Sequence, residues 1–250
     1  MLTNEQMLSI AENVTASVKE AIGRVPDWTR PGNKKGQYYI DLMADQAAVD
    51  ILSAANFSIL SEESGFLPGN NGHVAIIDPL DGSTNASRGL PWYAVSICFV
   101  TGLDIQAARV ENLALPTVFE ALQGGGATKN TQAIRVDGSV DLSKSIVAVS
   151  SLPPTPIESW QFRCLGAAAL DLSCVAGRSF DAYVDYGDNT HGVWDYLAGL
   201  FIAKEAGAIV GEVWDRDLIT LDYAARRSPI AASSQSIFTA LLSQRRSCSQ

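Results

Sequence analysis

The chain has 250 residues, 47 % of them hydrophobic, which is enough to fill a large core and too apolar for a disordered polymer. A net charge of −9 and a sequence pI near 4.7 exclude sequence-independent binding to nucleic acid, which needs surplus Lys and Arg to replace counterions. Cys98, Cys164, Cys174 and Cys248 form no CxxC pair and there are only two histidines, so zinc and disulfide scaffolds are excluded as well.

No uninterrupted apolar stretch reaches the length of a membrane span, and residues 1–10 carry no basic and apolar leader pattern. The expectation is a cytoplasmic protein that engages neither membrane nor nucleic acid. Thr3-Asn4-Glu5-Gln6 is a capping box, and Met7, Ile10, Ala11, Val14, Val18, Ala21 and Ile22 follow at helical spacing. Pro26 and Pro31-Gly32-Asn33 end that helix. A second helix is expected over 41–52, with Leu42, Val49 and Leu52 inward.

Short strands follow at 57–60, 73–77 and 93–100, two more over 105–121 broken around Asn112, and another at 133–136 after Gly124-Gly125-Gly126. The rest alternates: strand 146–149, a loop with Pro153, Pro154 and Pro156, helix 167–175, strand 180–185, polar loop 187–192, helix 194–206, strands 208–213 and 230–232, and helix 236–242. Such alternation predicts mixed sheets layered with helices, an α+β or α/β sandwich. With no repeat and no long linker, residues 1–250 read as a single unit whose approximate halves are 1–140 and 141–250.

The chemistry is concentrated in Ile76-Ile77-Asp78-Pro79-Leu80-Asp81-Gly82-Ser83-Thr84-Asn85, an apolar strand running into two aspartates and small hydroxyl residues. Pro79 fixes its own φ and lacks an N–H, so the chain turns and both carboxylates can converge on one point. Converging carboxylates repel unless a proton or a hard cation such as Mg²⁺ lies between them, and the Leu80 carbonyl could add a further oxygen ligand. Bound cations would also reverse the local field that an anionic substrate meets in an acidic protein. The successive N–H groups of Gly82, Ser83 and Thr84 suit a phosphate.

Upstream by 16 positions, Ser61-Glu62-Glu63-Ser64 ends another apolar strand, and downstream Asp195 opens an apolar helix within Gly192-Val193-Trp194-Asp195-Tyr196-Leu197-Ala198-Gly199. Alone, the first pattern is ordinary solvated surface and the second an ordinary pairing of an acid with a helix dipole. His73, at a strand edge, and His191, an exposed side chain of the polar loop, belong to no nucleophile motif.

Together, and in this order, the three acidic blocks resemble the inositol monophosphatase family. Weaker matches extend over most of the chain: the run 35–45, Gly166-Ala167-Ala168, Phe180-Asp181-Ala182-Tyr183-Val184-Asp185, and Ala203-Lys204-Glu205-Ala206-Gly207-Ala208. The superfamily includes fructose-1,6-bisphosphatases, and the resemblance implies a layered sandwich that forms homodimers. It further implies Mg²⁺-dependent, lithium-sensitive hydrolysis of a phosphate monoester on a small polyol or sugar, foremost inositol monophosphate, with two or three ions and Mn²⁺ as a substitute.

On the matching positions, Glu62, Asp78, the Leu80 carbonyl, Asp81 and Asp195 would be metal ligands, and Asp45 a weaker third site. Glu62, Ser83 and Asp81 form the expected catalytic set, with Ser83 helping Glu62 to orient and deprotonate water. Gly82, Ser83 and Thr84 would hold the phosphate, while Gly166, Ala167, Ala168, Asp185 and Asp195 would face the alcohol. The chain departs from the family in a short 62–78 loop, in Asp185 where animal-type enzymes have glutamate, and in a longer 185–195 segment. Fructose-1,6-bisphosphatase or histidinol-phosphatase activity on the same centre, and a non-catalytic metal- or phosphate-binding regulator, are the rival readings.

Overall fold

The computed structural model describes residues 2–138 and 141–248. Helix α1 (Asn4–Gly23) opens on the expected capping box, Thr3 Oγ1 accepting from Gln6 N and Gln6 Oε1 from Thr3 N. Helix α2 (Tyr39–Ala54) follows. Its buried stripe is Ile40, Ala44, Ala48 and Leu52, so of the three residues expected inward only Leu52 is fully buried; Leu42 and Val49 are half-buried. The same turn of the helix that hides this stripe also buries Asp41 and Asp45, two acids that a polarity pattern assigns to solvent.

Next come β1 (Ser58–Ser61), β2 (Gly65–Leu67), β3 (Val74–Asp81), the single turn α3 (Ser83–Ser87), β4 (Ala94–Thr101), β5 (Asp104–Asn112), β6 (Thr117–Leu122), β7 (Gly126–Lys129) and β8 (Gln132–Ile134). They form one sheet in the order β2-β1-β3-β4-β5-β6-β7-β8, antiparallel except where β1 pairs with β3. Strands β9 (Ile146–Val149) and β10 (Gln161–Arg163), helix α4 (Ala168–Ala176), β11 (Ala182–Val184), helix α5 (Val193–Glu205), β12 (Ile209–Glu212), β13 (Pro229–Ala232) and α6 (Gln235–Ser247) complete the chain. Their sheet runs β10-β9-β11-β13-β12. Three short strands, β2, β7 and β10, were not expected from the sequence.

Alternation along the strands sorts the core into layers. On β3 and β4, Ala75, Ile77, Val95, Ile97 and Phe99 pack against α1 and α2, while Ile76, Ala94, Cys98 and Val100 face α4 and α5. On the second sheet, Ala148, Tyr183 and Ala231 face α4 and α5, and Val147, Val149, Val184 and Ile230 pack with Ile237 and Leu241 of α6. The layers are therefore helix, sheet, helix, sheet, helix. Strands covered on both faces read as unbroken apolar runs, and α5, packed between two sheets, is apolar nearly all round.

A Cβ at Gly199 would lie 2.7 Å from both the Ala169 carbonyl and Leu172 Cβ, so glycine there lets α4 and α5 cross closely. That crossing sets two helix starts side by side above the ends of β1 and β3. No described helix is long and apolar enough to cross a membrane.

Candidate active site

The carboxylates of β3 are aimed by an irregularity. Asp78 pairs with Ser96 and Asp81 with Ala94, so three steps on β3 oppose two on β4, and the extra residue lies at the Pro79 turn. Asp78 Oδ1 accepts from Leu80 N at 2.9 Å, which tightens the turn. The parallel register sets Ser61 beside Ile77, so Glu62 emerges level with Asp78. Glu62 is held by its own N–H to Ile77 O at 3.3 Å and by the Tyr223 hydroxyl, which donates to its carbonyl at 2.6 Å.

Asp195 arrives on the first turn of α5. Ser96 Oγ donates to Trp194 O at 3.0 Å, fastening that turn to β4, and Gly192 N donates to Asp195 Oδ2 at 2.8 Å. One ligand oxygen from each of Glu62, Asp78 and Asp195 lies within 4.8 Å of the others. Asp81 borders the same cleft, and its Oδ2 accepts from Ala169 N, on the first turn of α4, at 2.8 Å. The three distant acidic blocks thus meet.

Burial, then the charge of Asp195 and of other neighbouring acids, pushes the Glu62 carboxyl up to about 8. Burial and Asp195 raise Asp81 to about 7, tempered by the Ala169 N–H, and burial raises Asp78 well above the carboxylate range. A set of crowded acids that offers only oxygen, with Glu62, Asp78 and Asp81 resisting ionisation, fits a hard divalent cation, which would offset their mutual repulsion.

The cleft holds about 300 Å³ and is lined by Glu62, Asp78, Leu80, Asp81, Gly82, Ser83, Ser150, Gly166, Ala167, Ala168, Asp171, Tyr183, His191 and Asp195. Gly82 has φ +87°, and a Cβ there would meet the Trp92 carbonyl at 2.9 Å and Ala167 Cβ at 3.1 Å. Only glycine allows this close approach of the two walls. Asn85 Nδ2 binds them together, donating to Trp92 O at 2.8 Å and Leu165 O at 2.7 Å.

Of the residues singled out from the sequence, Glu62, Asp78, Leu80, Asp81, Gly82, Ser83, Gly166, Ala167, Ala168 and Asp195 border one cavity. Thr84 is exposed and outside this lining. Asp45 is also outside it, its two oxygens accepting from Ser61 Oγ and Ser64 Oγ. Asp185 is fully buried behind the wall, where Oδ1 accepts from Ser150 Oγ and from Gly187 N, while among the described residues Oδ2 has no hydrogen-bond partner.

His191 departs from the exposed position expected for it. It lines the cleft with Nδ1 3.4 Å from Asp195 and Nε2 3.1 Å from the Tyr183 hydroxyl. Burial alone would lower its pKa, but Asp195, Asp185 and Asp81 outweigh burial and raise it.

Sequence reasoning also missed Asp41, Ser150, Asp171 and Tyr183. Among the described residues one buried Asp41 oxygen has no hydrogen-bond partner, and burial raises the carboxyl to about 6, a shift moderated by the Tyr38 N–H, which donates to Oδ2 at 2.7 Å. Asp171 is almost wholly buried, accepts from Trp92 Nε1 at 2.9 Å, and is pushed well upward by burial. For Asp41 the available signal was its place one helical turn before Asp45; Asp171 and Tyr183 stand between apolar neighbours, and Ser150 begins the Ser150-Ser151 pair ahead of the proline loop.

Comparison with known proteins gives a consistent result. The family described as "Inositol monophosphatase family" matches residues 5–250. A fructose-1,6-bisphosphatase/inositol-1-monophosphatase of Archaeoglobus fulgidus is 33 % identical over 216 residues, covering 82 % of this chain and 84 % of the relative. A Nus factor SuhB of Xylella fastidiosa is 34 % identical over 199 residues, covering 73 % and 71 %. Among solved structures, an IMPase of Thermotoga maritima superposes with a TM-score of 0.81 at 25 % identity, over 99 % of this chain and 98 % of that one.

Proposed function

The chain belongs to the inositol monophosphatase family and is a phosphoric monoester hydrolase, and from that premise we propose that it cleaves the phosphate ester of a small polyol or sugar, foremost inositol monophosphate. The observation that carries this reading is the meeting of Glu62, Asp78 and Asp195 oxygens within 4.8 Å, beside the Gly82 turn.

Glu62, Asp78, the Leu80 carbonyl, Asp81 and Asp195 would hold Mg²⁺, as two or three ions, with Mn²⁺ able to replace it. When bound, the metal neutralises the phosphate dianion and makes water nucleophilic near neutral pH. The chain does the rest. Glu62 and the Ser83 hydroxyl orient the attacking water and take its proton.

Gly82 and Ser83 border the cleft, and their amides receive the phosphate oxygens together with that of Thr84, the next residue of the α3 turn, while Gly166 to Ala168 leave room for the alcohol. Water attacks phosphorus opposite the ester oxygen, the P–O bond to the alcohol breaks, and the products are alcohol and inorganic phosphate. No covalent phosphoenzyme forms. In this reading the protein is also inhibited by lithium and works as a cytoplasmic homodimer.

Phosphate release tests the proposal. With saturating Mg²⁺, inositol 1-phosphate should be the best of a panel that includes fructose 1,6-bisphosphate, histidinol phosphate and adenosine 3′,5′-bisphosphate. EDTA should abolish the reaction. No metal-dependent release from any of the four would reject the reading, and a preference for fructose 1,6-bisphosphate would transfer the chain to that activity, which the Archaeoglobus relative's name includes.

A further inference from the structure

Two cavities meet at Glu62 and Ser83. One is the cleft, which alone is lined by Gly166 to Ala168, Tyr183 and His191. The other is a hollow of about 300 Å³ whose wall includes Lys34, Lys35, Asp41, Glu63, Trp194 and Arg226. Glu62 and Ser83 are the groups assigned above to the attacking water, so the hollow lies on the water side of the centre, away from the residues proposed to face the alcohol. An in-line displacement leaves the new oxygen of the released phosphate on that side.

The hollow carries uncommitted positive charge. Glu63 is answered by Lys34, whose Nζ lies 3.9 Å from its carboxylate and donates to its carbonyl at 3.2 Å, and by the Gln37 amide. Lys35 has no hydrogen-bond or ion-pair partner among the described residues. Arg226 spends only Nη1, which donates to the carbonyls of Tyr223 and Ala225, and among the described residues its Nε and Nη2 make no hydrogen bond. Its guanidinium is fixed over the Trp194 ring at 5.3 Å, and Trp194 packs on Tyr223, whose hydroxyl donates to the Glu62 carbonyl. The cation is therefore anchored to the same wall that carries Glu62.

Asp41 adds an acceptor to this wall. It is 5 % exposed, Oδ2 accepts from Tyr38 N at 2.7 Å, and among the described residues the buried Oδ1 has no hydrogen-bond partner. A buried carboxylate oxygen left unpaired is costly unless a ligand donates to it. Free cations beside an unpaired acceptor suit an anion that also carries a hydrogen. At about pH 7.5 Asp41, raised to about 6, is ionised and only accepts; orthophosphate keeps one O–H at that pH, whereas sulfate and a phosphate monoester dianion have none.

We propose that this hollow is a binding site for free orthophosphate, which Lys35 and Arg226 hold by charge and Asp41 recognises by accepting its O–H, and that it receives the phosphate released at the neighbouring centre. The role in product release rests on the phosphatase reading above; the binding does not. Sulfate is turned away because it brings Asp41 only negative charge.

Calorimetric titration of the full chain, freed of metal with EDTA, with phosphate and with sulfate at about pH 7.5 tests the binding. Without metal the crowded acids of the cleft repel both anions, so the heat reports on the hollow. Orthophosphate should bind with a Kd of about 1 mM or tighter, and sulfate at least about tenfold more weakly. Asp41→Asn keeps an acceptor for the Tyr38 N–H and sets an amide N–H where the unpaired oxygen stood, so it should bring sulfate within about threefold of phosphate. Lys35→Ala, at an exposed position, should weaken both anions about fivefold and, in turnover assays with saturating Mg²⁺, raise the inhibition constant of added orthophosphate by about threefold.

No binding of orthophosphate, or equal binding of sulfate, by the unmodified protein overturns the proposal even if Asp41→Asn fails to fold. So does an unchanged phosphate-to-sulfate ratio in a folded Asp41→Asn, or unchanged anion binding in Lys35→Ala. Ester hydrolysis without orthophosphate binding sinks only this inference. Binding without any metal-dependent hydrolysis rejects the phosphatase reading and, with it, the role in product release.

Discussion

The two ends of the cleft are built in different ways. The end proposed for the phosphate comes from one uninterrupted piece of chain, Asp78 to Ser83, joined by a neighbouring strand end and a helix start. The end proposed for the alcohol is assembled from single residues of β11, α4 and the loops before Gly166 and α5. The difference follows from the chemistry: a dianion needs several groups crowded together, which a turn supplies over adjacent residues, whereas an alcohol needs a few separate contacts at the right distances. The first end should therefore fail abruptly when altered and the second by degrees.

The largest effect is expected at the acids. Asp78→Asn or Asp195→Asn should lower kcat by about a thousandfold or more at saturating Mg²⁺ with the fold retained, as judged by circular dichroism. Near-normal turnover in either variant would dissolve the distinction between the ends. Next is Gly82→Ala, whose Cβ would press on the Trp92 carbonyl at 2.9 Å from a backbone with φ +87°. It should destabilise the protein by about 2 kcal/mol or more in thermal melts and reduce turnover, because the two walls separate.

Smaller still is the effect of pH on the metal-free protein. Glu62 and Asp81 have folded-state pKa values raised to about 8 and about 7, from ordinary values of 4.5 and 3.8. For an acid whose pKa rises on folding, stability is fully present below the unfolded value and is lost as pH climbs through the folded one. Melting temperature without metal should thus fall between about pH 4.5 and pH 8, and Mg²⁺ should flatten the curve by binding the ionised acids. Asp81→Asn, which removes one crowded carboxylate, should flatten it in the absence of metal; an unchanged slope would mean that the crowding is too weak to matter.

The same contrast explains what could be read from the chain. The capping box of α1, the apolar runs of β3 and β4 and the Asp78 to Asn85 string are local patterns, and each forms where the sequence places it. Strands β2, β7 and β10 are only three or four residues long, at or near sheet edges, with too few positions for alternation to show. The inward face of α2 is disguised because Asp41 and Asp45 are buried beside Ala44 and Ala48. Asp171 and Tyr183 lie inside apolar runs and His191 in a polar loop, so their presence at one cleft is a property of how α4, α5 and β11 pack, which no window of sequence contains.

The smallest effect, and the finest test of the assembled end, concerns Arg245 in the last helix. It is 2 % exposed, and its guanidinium donates to the Asp185 carbonyl at 2.8 Å, the Gly187 carbonyl at 3.1 Å and Asp188 at 2.9 Å. The rings of Tyr186 and Trp214 flank it, 5.8 and 5.5 Å from its central carbon. A planar fork spanning two carbonyls fixes the start of the segment that leads to His191 and Asp195, and lysine cannot reproduce that geometry. Arg245→Lys should therefore raise KM for inositol 1-phosphate by about threefold to tenfold and leave kcat within about twofold. Loss of kcat without change in KM would instead show that the segment serves the metal-bearing acids, and the separation of the two ends would not extend to the helix that supports them.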